Sequence, residues 1–302
     1  MMHIVNRTIL VLALLMFGAW SFVQAQQDKQ DTVNKGAKSM KIVPQKITLT
    51  PAQKEAEELY QEGSSKARSG NYSEAIEDFT KSLAKSENFN TYLKRGYAYM
   101  LVKRYPEALA DFTEVLRLNP TNAEALLKRG ITKYEMNDYS AAETDIKQFL
   151  EKVKTSAMAY NYMAALCFLR QDFQCALSNY SEVIRCDSLY QDVFVNRGMI
   201  RHYLRDFKGA LQDYDIAIKL NPKDKKIFNN RAAAWMMLQD FETALEDLNK
   251  AIELDPTYAD AYNNRGRVRH RLGDLQGACS DWHTALSFGI EASRELIIQY
   301  CK

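Results

Sequence analysis

An alanine recurs along most of this chain, and its spacing constrains the fold more than any other feature. Ala75, Ala108, Ala142, Ala176, Ala210, Ala244 and Ala278 are separated by one step of 33 residues and then by steps of 34. Other positions fall into columns beside it. Twelve residues earlier stand Gly63, Gly96, Gly130, Ala164, Gly198, Ala232 and Gly266; four later stand Phe79, Phe112, Ile146, Tyr180, Tyr214, Leu248 and Trp282. A period of this length marks one supersecondary unit copied in tandem. No single copy can cover its apolar face, so neighbours must stack to do so.

The columns set seven units at 56–88, 89–122, 123–156, 157–190, 191–224, 225–258 and 259–292, with a terminal cap at 291–302. Within each unit apolar residues return every three to four positions, which predicts two amphipathic helices per unit. Thr50-Pro51 supplies an N-cap hydroxyl and a first-turn proline, so the ordered region is expected over 51–302. In the cap, Leu296, Ile297 and Tyr300 are expected to turn inward and Arg294, Glu295 and Gln299 outward.

With a small residue at unit positions 8 and 20, an aromatic near 24 and Pro120, Pro222 and Pro256 at 32, the pattern resembles the tetratricopeptide repeat over about residues 56–292. The resemblance implies an all-α, right-handed superhelical solenoid of helix-turn-helix repeats. Small residues at positions 8 and 20 would let the paired helices approach, and the bulky residues at 24 and 28 would fill the gap between units. The chain departs from the family at position 32, which lacks proline in four units, and at position 7, usually arginine here.

That arginine has a counterpart. Arg95, Arg129, Arg197, Arg231 and Arg265 stand at position 7, and Asp111, Asp145, Asp213, Asp247 and Asp281 at position 23 of the same units. Unit 4 loses both together, with Met163 and Asn179. A planar guanidinium suits a carboxylate, so an ion pair joining the two helices of each unit is expected. Unit 1 has Glu62 opposite Asp78, and the nearest candidate partner of that aspartate is Arg95 of unit 2.

The resemblance also implies a concave groove lined by the first helix of each unit. Read onto this chain, it offers Leu93, Tyr97, Met100, Leu127, Ile131, Tyr134 and Phe168 in units 2 to 4, then Asn196, Asn230 and Asn264 at position 6 of units 5 to 7. Unit 7 adds Arg267 and Arg271, four residues apart. An amide both donates and accepts, so a row of them can pair with the backbone of an extended chain. The same asparagines are open to a packing role within the repeat, and the two arginines to holding an acidic segment or a chain terminus.

Ahead of the repeats, Met1–Arg7 carries one arginine and no acid, Ile9–Phe17 is apolar throughout, and Val23-Gln24-Ala25 offers small residues where a signal peptidase cuts. A signal peptide over 1–25 and a polar leader over 26–50 are expected, with an uncleaved anchor as the competing reading. The chain is therefore expected to be exported, periplasmic or associated with the cell envelope. Cys167 and Cys175 flank one hairpin turn and could pair; the other cysteines, Cys186, Cys279 and Cys301, read as small buried hydrophobes. A formal charge of +2 gives no case for nucleic acid as partner. Histidines and carboxylates follow the repeat, without metal or nucleophile spacing. The expectation is a non-enzyme that takes no cofactor, metal or small-molecule substrate. It would serve as an adaptor holding an extended peptide, or as a structural subunit of an envelope or secretion assembly whose outer surface docks folded partners. Its partners would be other proteins or peptides, with a membrane involved only if the signal is retained.

Overall fold

The computed structural model describes residues 49–190 and 192–301. The expected signal peptide, and all of the leader except Leu49 and Thr50, lie outside the described residues. Among them are fifteen helices and no strand, and they form two compact units, one up to Leu166 and one from Cys167 onward.

The first unit opens with α1 (Pro51–Arg68) and α2 (Tyr72–Lys85) and continues through α3 (Phe89–Leu101), α4 (Tyr105–Leu118), α5 (Ala123–Glu135) and α6 (Tyr139–Lys152). Thr50 starts α1 with a capping box: its hydroxyl accepts from the Gln53 N–H while the Gln53 side chain accepts from the Thr50 N–H. The division between units falls inside α7 (Ala157–Leu169). The second unit holds α8 (Phe173–Cys186), α9 (Val193–Tyr203), α10 (Phe207–Leu220), α11 (Lys225–Met237), α12 (Phe241–Leu254), α13 (Ala259–Arg271), α14 (Leu275–Ser287) and α15 (Ala292–Tyr300).

Each repeat is a helical hairpin with one turn chemistry. Position 15 takes a left-handed backbone in all seven units: Gly70, Lys103, Asn137, Gln171, Arg205, Gln239 and Gly273 all have φ between 60° and 87°. Only two of the seven are glycine, so five turns hold a side chain in a conformation that crowds Cβ. Next comes the N-cap of the second helix. Asp138, Asp172, Asp206, Asp240 and Asp274 each accept from the backbone N–H three residues on.

All seven alanines of the defining column are fully buried. The bulky residue at position 24 lies over the small residue at position 8 of its own hairpin. A Cβ added to Gly198 would sit 2.7 Å from the Tyr214 ring, and one added to Gly266 would sit 2.5 Å from the Trp282 indole nitrogen. Position 24 thus packs the crossing within a hairpin, rather than only the gap between repeats. In α15, Ser293 is buried and donates to the Asn263 side chain. Tyr300 lies 4.3 Å from the His270 ring and 5.9 Å from that of Trp282.

Candidate functional site

The first helix of each repeat carries the candidate surface, and buried cross-links to the second helix hold it in place. Five arginines grip five aspartates through two nitrogens each: Arg95 on Asp111 at 2.9 and 2.8 Å, Arg129 on Asp145 at 2.7 and 2.7 Å, Arg197 on Asp213 at 3.0 and 2.6 Å, Arg231 on Asp247 at 2.8 and 2.6 Å, and Arg265 on Asp281 at 2.9 and 2.7 Å. The carboxylates are buried. Burial lifts those of Asp111 and Asp247 above the ordinary value against the opposing pull of their arginines. The third nitrogen of the guanidinium reaches back to the preceding repeat. Arg95 Nη1 donates to Thr80 Oγ1 at 3.0 Å, Arg231 Nη1 to Asp215 Oδ1 at 2.7 Å, and Arg265 Nη1 to Asn249 Oδ1 at 2.9 Å.

A second base, at position 11, joins some of these pairs. Lys133 reaches Asp145 at 2.7 Å, Arg201 reaches Asp213 at 2.9 Å, and Arg269 reaches Asp281 at 2.9 Å. This position also corrects the expectation for unit 1: Asp78 is held by Lys66 of its own hairpin at 2.6 Å, while Arg95 turns to Thr80 and Asp111. Lys66 reaches the aspartate from one helical turn further along α1 than Glu62, so it serves the same carboxylate. In unit 4, position 11 is Cys167, and a disulfide to Cys175 takes the place of the ion pair. There the Asn179 amide donates to the Cys175 carbonyl at 2.9 Å. A second disulfide, Cys279–Cys301, ties the end of α15 to α14 and corrects the reading of those two thiols as isolated hydrophobes. Nothing in their spacing pointed to it, because the two lie 22 residues apart and meet only once α15 folds back.

The groove positions divide into covered and open ones. Leu127, Ile131 and Tyr134 are buried. Tyr134 stands edge-on between Tyr139 at 5.4 Å and Tyr162 at 5.2 Å, so it packs repeats instead of presenting a face. Leu93 is half-buried against the Ala98–Phe112 core. Tyr97 is half-buried, and burial pushes its phenol up to about 12. Phe168 is half-buried, 6.0 Å from Phe173 and 6.2 Å from Tyr203.

The asparagine column is not uniform. Asn196 is buried, Asn230 is half-buried, and the Asn264 amide donates to Asn229 Oδ1 at 2.9 Å. An even row of free amides is therefore not what this surface offers. Arg267 and Arg271 are exposed, the latter 5.9 Å over the Phe241 ring. Two residues passed over in the sequence stand open on the same helices: Tyr203, 53% exposed and stacked on Phe173 at 5.4 Å, and Met237, 51% exposed. Both occupy position 13 of successive units, as does Arg271, so a column reading would have found them. Position 6 also carries Lys94 and Lys128 in the first unit, where the second unit has asparagine. Among the described residues no group of three or more His, Cys, Asp or Glu is placed to hold a metal ion, and no helix is long and apolar enough to cross a membrane.

Tandem hairpins with these internal cross-links define a helical-repeat protein. Residues 89–122 match the family described as tetratricopeptide repeat, and residues 236–273 that described as TPR repeat. The chain is a tetratricopeptide repeat protein. Over 69 residues it is 39% identical to the Protein SGT1 homolog of Bos taurus, a match covering 22% of this chain and 20% of that protein. The chain thus spans about a fifth of the length of the first curated relatives it matches. Among solved structures, the C-terminal part of a TPR repeat-containing protein from Cytophaga hutchinsonii has a TM-score of 0.66 at 19% identity, covering 78% of this chain and 98% of that one. YrrB, described as a TPR protein with an unusual peptide-binding site, has a TM-score of 0.54 at 20% identity, covering 60% and 93%. At such identities these structures speak for the fold.

Proposed function

We propose that this chain is an adaptor of the cell envelope that holds an extended polypeptide segment along the first helices of its repeats. The observation that carries this reading is the row of open side chains at position 13 in the second unit: Tyr203, Met237 and Arg271. Large apolar groups left exposed in register, with a cation beside them, are the kind of anchors at which interface energy concentrates. That relatives such as the SGT1 homolog share this repeat, and that YrrB is described as having a peptide-binding site, support a protein partner. Export is supported by the apolar N-terminal run and by two disulfides, which persist in oxidising compartments.

The buried Asn196 and the engaged Asn264 favour the second reading in one respect. If these amides serve packing, partners could instead dock as folded bodies on the second helices, where Ile216 is exposed. A photo-crosslinking residue placed at Tyr203 or at Ile216 in cells separates the two. Capture of a partner from Tyr203, at a single stretch of its sequence, supports the groove. Capture from Ile216 alone moves the function to the outer surface.

A further inference from the structure

In the first unit, Lys128 occupies the position-6 column on α5. Its ammonium stands 4.7 Å above the Tyr97 ring of α3 and makes no hydrogen bond or ion pair with any described residue. The other lysines and arginines that lie inward in this unit meet an acid: Lys66 meets Asp78, Arg95 meets Asp111, and Arg129 and Lys133 share Asp145. Lys128 does not. Glu124, one turn earlier on the same helix, favours the charge from a distance but stays exposed, and Lys94 one repeat back opposes it. Burial pushes the ammonium below its ordinary value, as expected when a cation is withdrawn from water without a counter-ion. A ring face offers only part of the compensation that a withdrawn cation requires. The missing element is an anion.

We infer that Lys128 and Tyr97 form a seat for a carboxylate of the polypeptide held by the repeats. The apolar Leu93 and the Tyr97 ring flank the cation, so the segment that fits carries an acid with aliphatic or aromatic neighbours. The seat rests on the groove reading above but lies in the first unit, away from the exposed row of the second. A carboxylate from an Asp or Glu side chain and one from a chain terminus share the chemistry, and the experiment tells them apart.

The probes are three fluorescently labelled short peptides. One alternates leucine and glutamate and is C-terminally amidated, one alternates leucine and glutamine and is amidated, and the third is the glutamine peptide with a free C-terminus. Each is titrated against the full chain and against Lys128→Met and Lys94→Met. The seat predicts that a peptide with a carboxylate binds about tenfold tighter than the amidated glutamine peptide. It predicts that Lys128→Met abolishes the difference, and that Lys94→Met, changing an exposed lysine of the same column, keeps most of it. Preference for the glutamate peptide assigns the carboxylate to a side chain, and preference for the free-ended glutamine peptide alone assigns it to a terminus. Thermal unfolding of Lys128→Met guards against a folding artefact: its Tm is expected to equal or exceed that of the parent, because an apolar side chain replaces an unpaired charge. Equal binding of all three peptides, binding of none, or a preference that survives in Lys128→Met overturns the seat. The groove reading stands or falls separately, on the crosslinks from Tyr203.

Discussion

The two compact units follow one repeat rule and finish it differently. In the first, every hairpin cross-link is ionic, the position-6 column carries Lys94 and Lys128, and no cysteine is present. In the second, the same column carries asparagine, and two disulfides join the ion pairs, one across a hairpin and one at the terminal helix. The repeat therefore fixes the backbone and the buried pairs while leaving two choices open: the chemistry of the exposed helix face and the nature of the brace behind it. The contrast teaches that a brace at position 11 can be a lysine, an arginine or half of a disulfide without changing the hairpin.

The sharpest way to break the comparison is to remove an aspartate from each unit. Asp213→Ala strands Arg197 and Arg201 together and should cost about 3–5 kcal/mol, as breaking buried pairs does. Asp78→Ala frees only the more exposed Lys66 and should cost distinctly less. Urea unfolding of both variants measures the difference, and equal losses would erase the distinction.

Reduction comes next. A dithiol reductant should destabilise the second unit and leave the first untouched, since all five cysteines lie from Cys167 onward. Cys301→Ser alone should lower the opening free energy of α15 by about 3 kcal/mol, the value for closing a loop of this size. Hydrogen exchange resolved by segment reads both effects. Within the second unit, Ala210→Leu should overpack the hairpin crossing and cost about 1–3 kcal/mol in the same denaturation assay. At the turns the sign reverses. Gln239→Gly should stabilise by about 1 kcal/mol, because φ is 65° there and glycine carries no Cβ to crowd. Gly273, already glycine at the equivalent turn, offers no such gain.

The smallest effect concerns acid. Lys225, followed by the Thr257 hydroxyl and N–H, holds the Asp255 carboxyl down at about 2 from 3.8. A depressed carboxylate adds stability that is present above its unfolded value and lost as pH falls toward the folded one. Acid titration of the parent and of Asp255→Asn should therefore differ between about pH 4 and pH 2 and run parallel above that range.

Most of the architecture was legible because the repeat states it seven times. Noise at one position, such as Ala164 where others have glycine, is averaged out by the remaining columns. The Arg–Asp partnership was legible for the same reason: residues that appear and vanish together declare a shared task. The partner of Asp78 was not, because Lys66 belongs to a column that changes character from unit to unit, so no pattern singled it out. The binding face was harder still. Helix periodicity tells which residues share a side but not how far a neighbouring repeat covers them, and so Tyr134 and Asn196 read as open positions although they are buried. The Cys279–Cys301 bond depends on where α15 turns back, a tertiary event that occurs once and has no repeat to announce it.

The arginines described above lean both ways, sixteen residues forward to an aspartate and, for Arg231 and Arg265, sixteen residues back to the previous hairpin. A gene segment duplicated or excised in whole periods therefore reinstates every such handshake at the new junction. Lengthening or shortening the array by a full repeat strands no charge, whereas an insertion of a few residues would orphan one at each end. Growth of this lineage by copying whole modules is thus written into the reach of a single side chain.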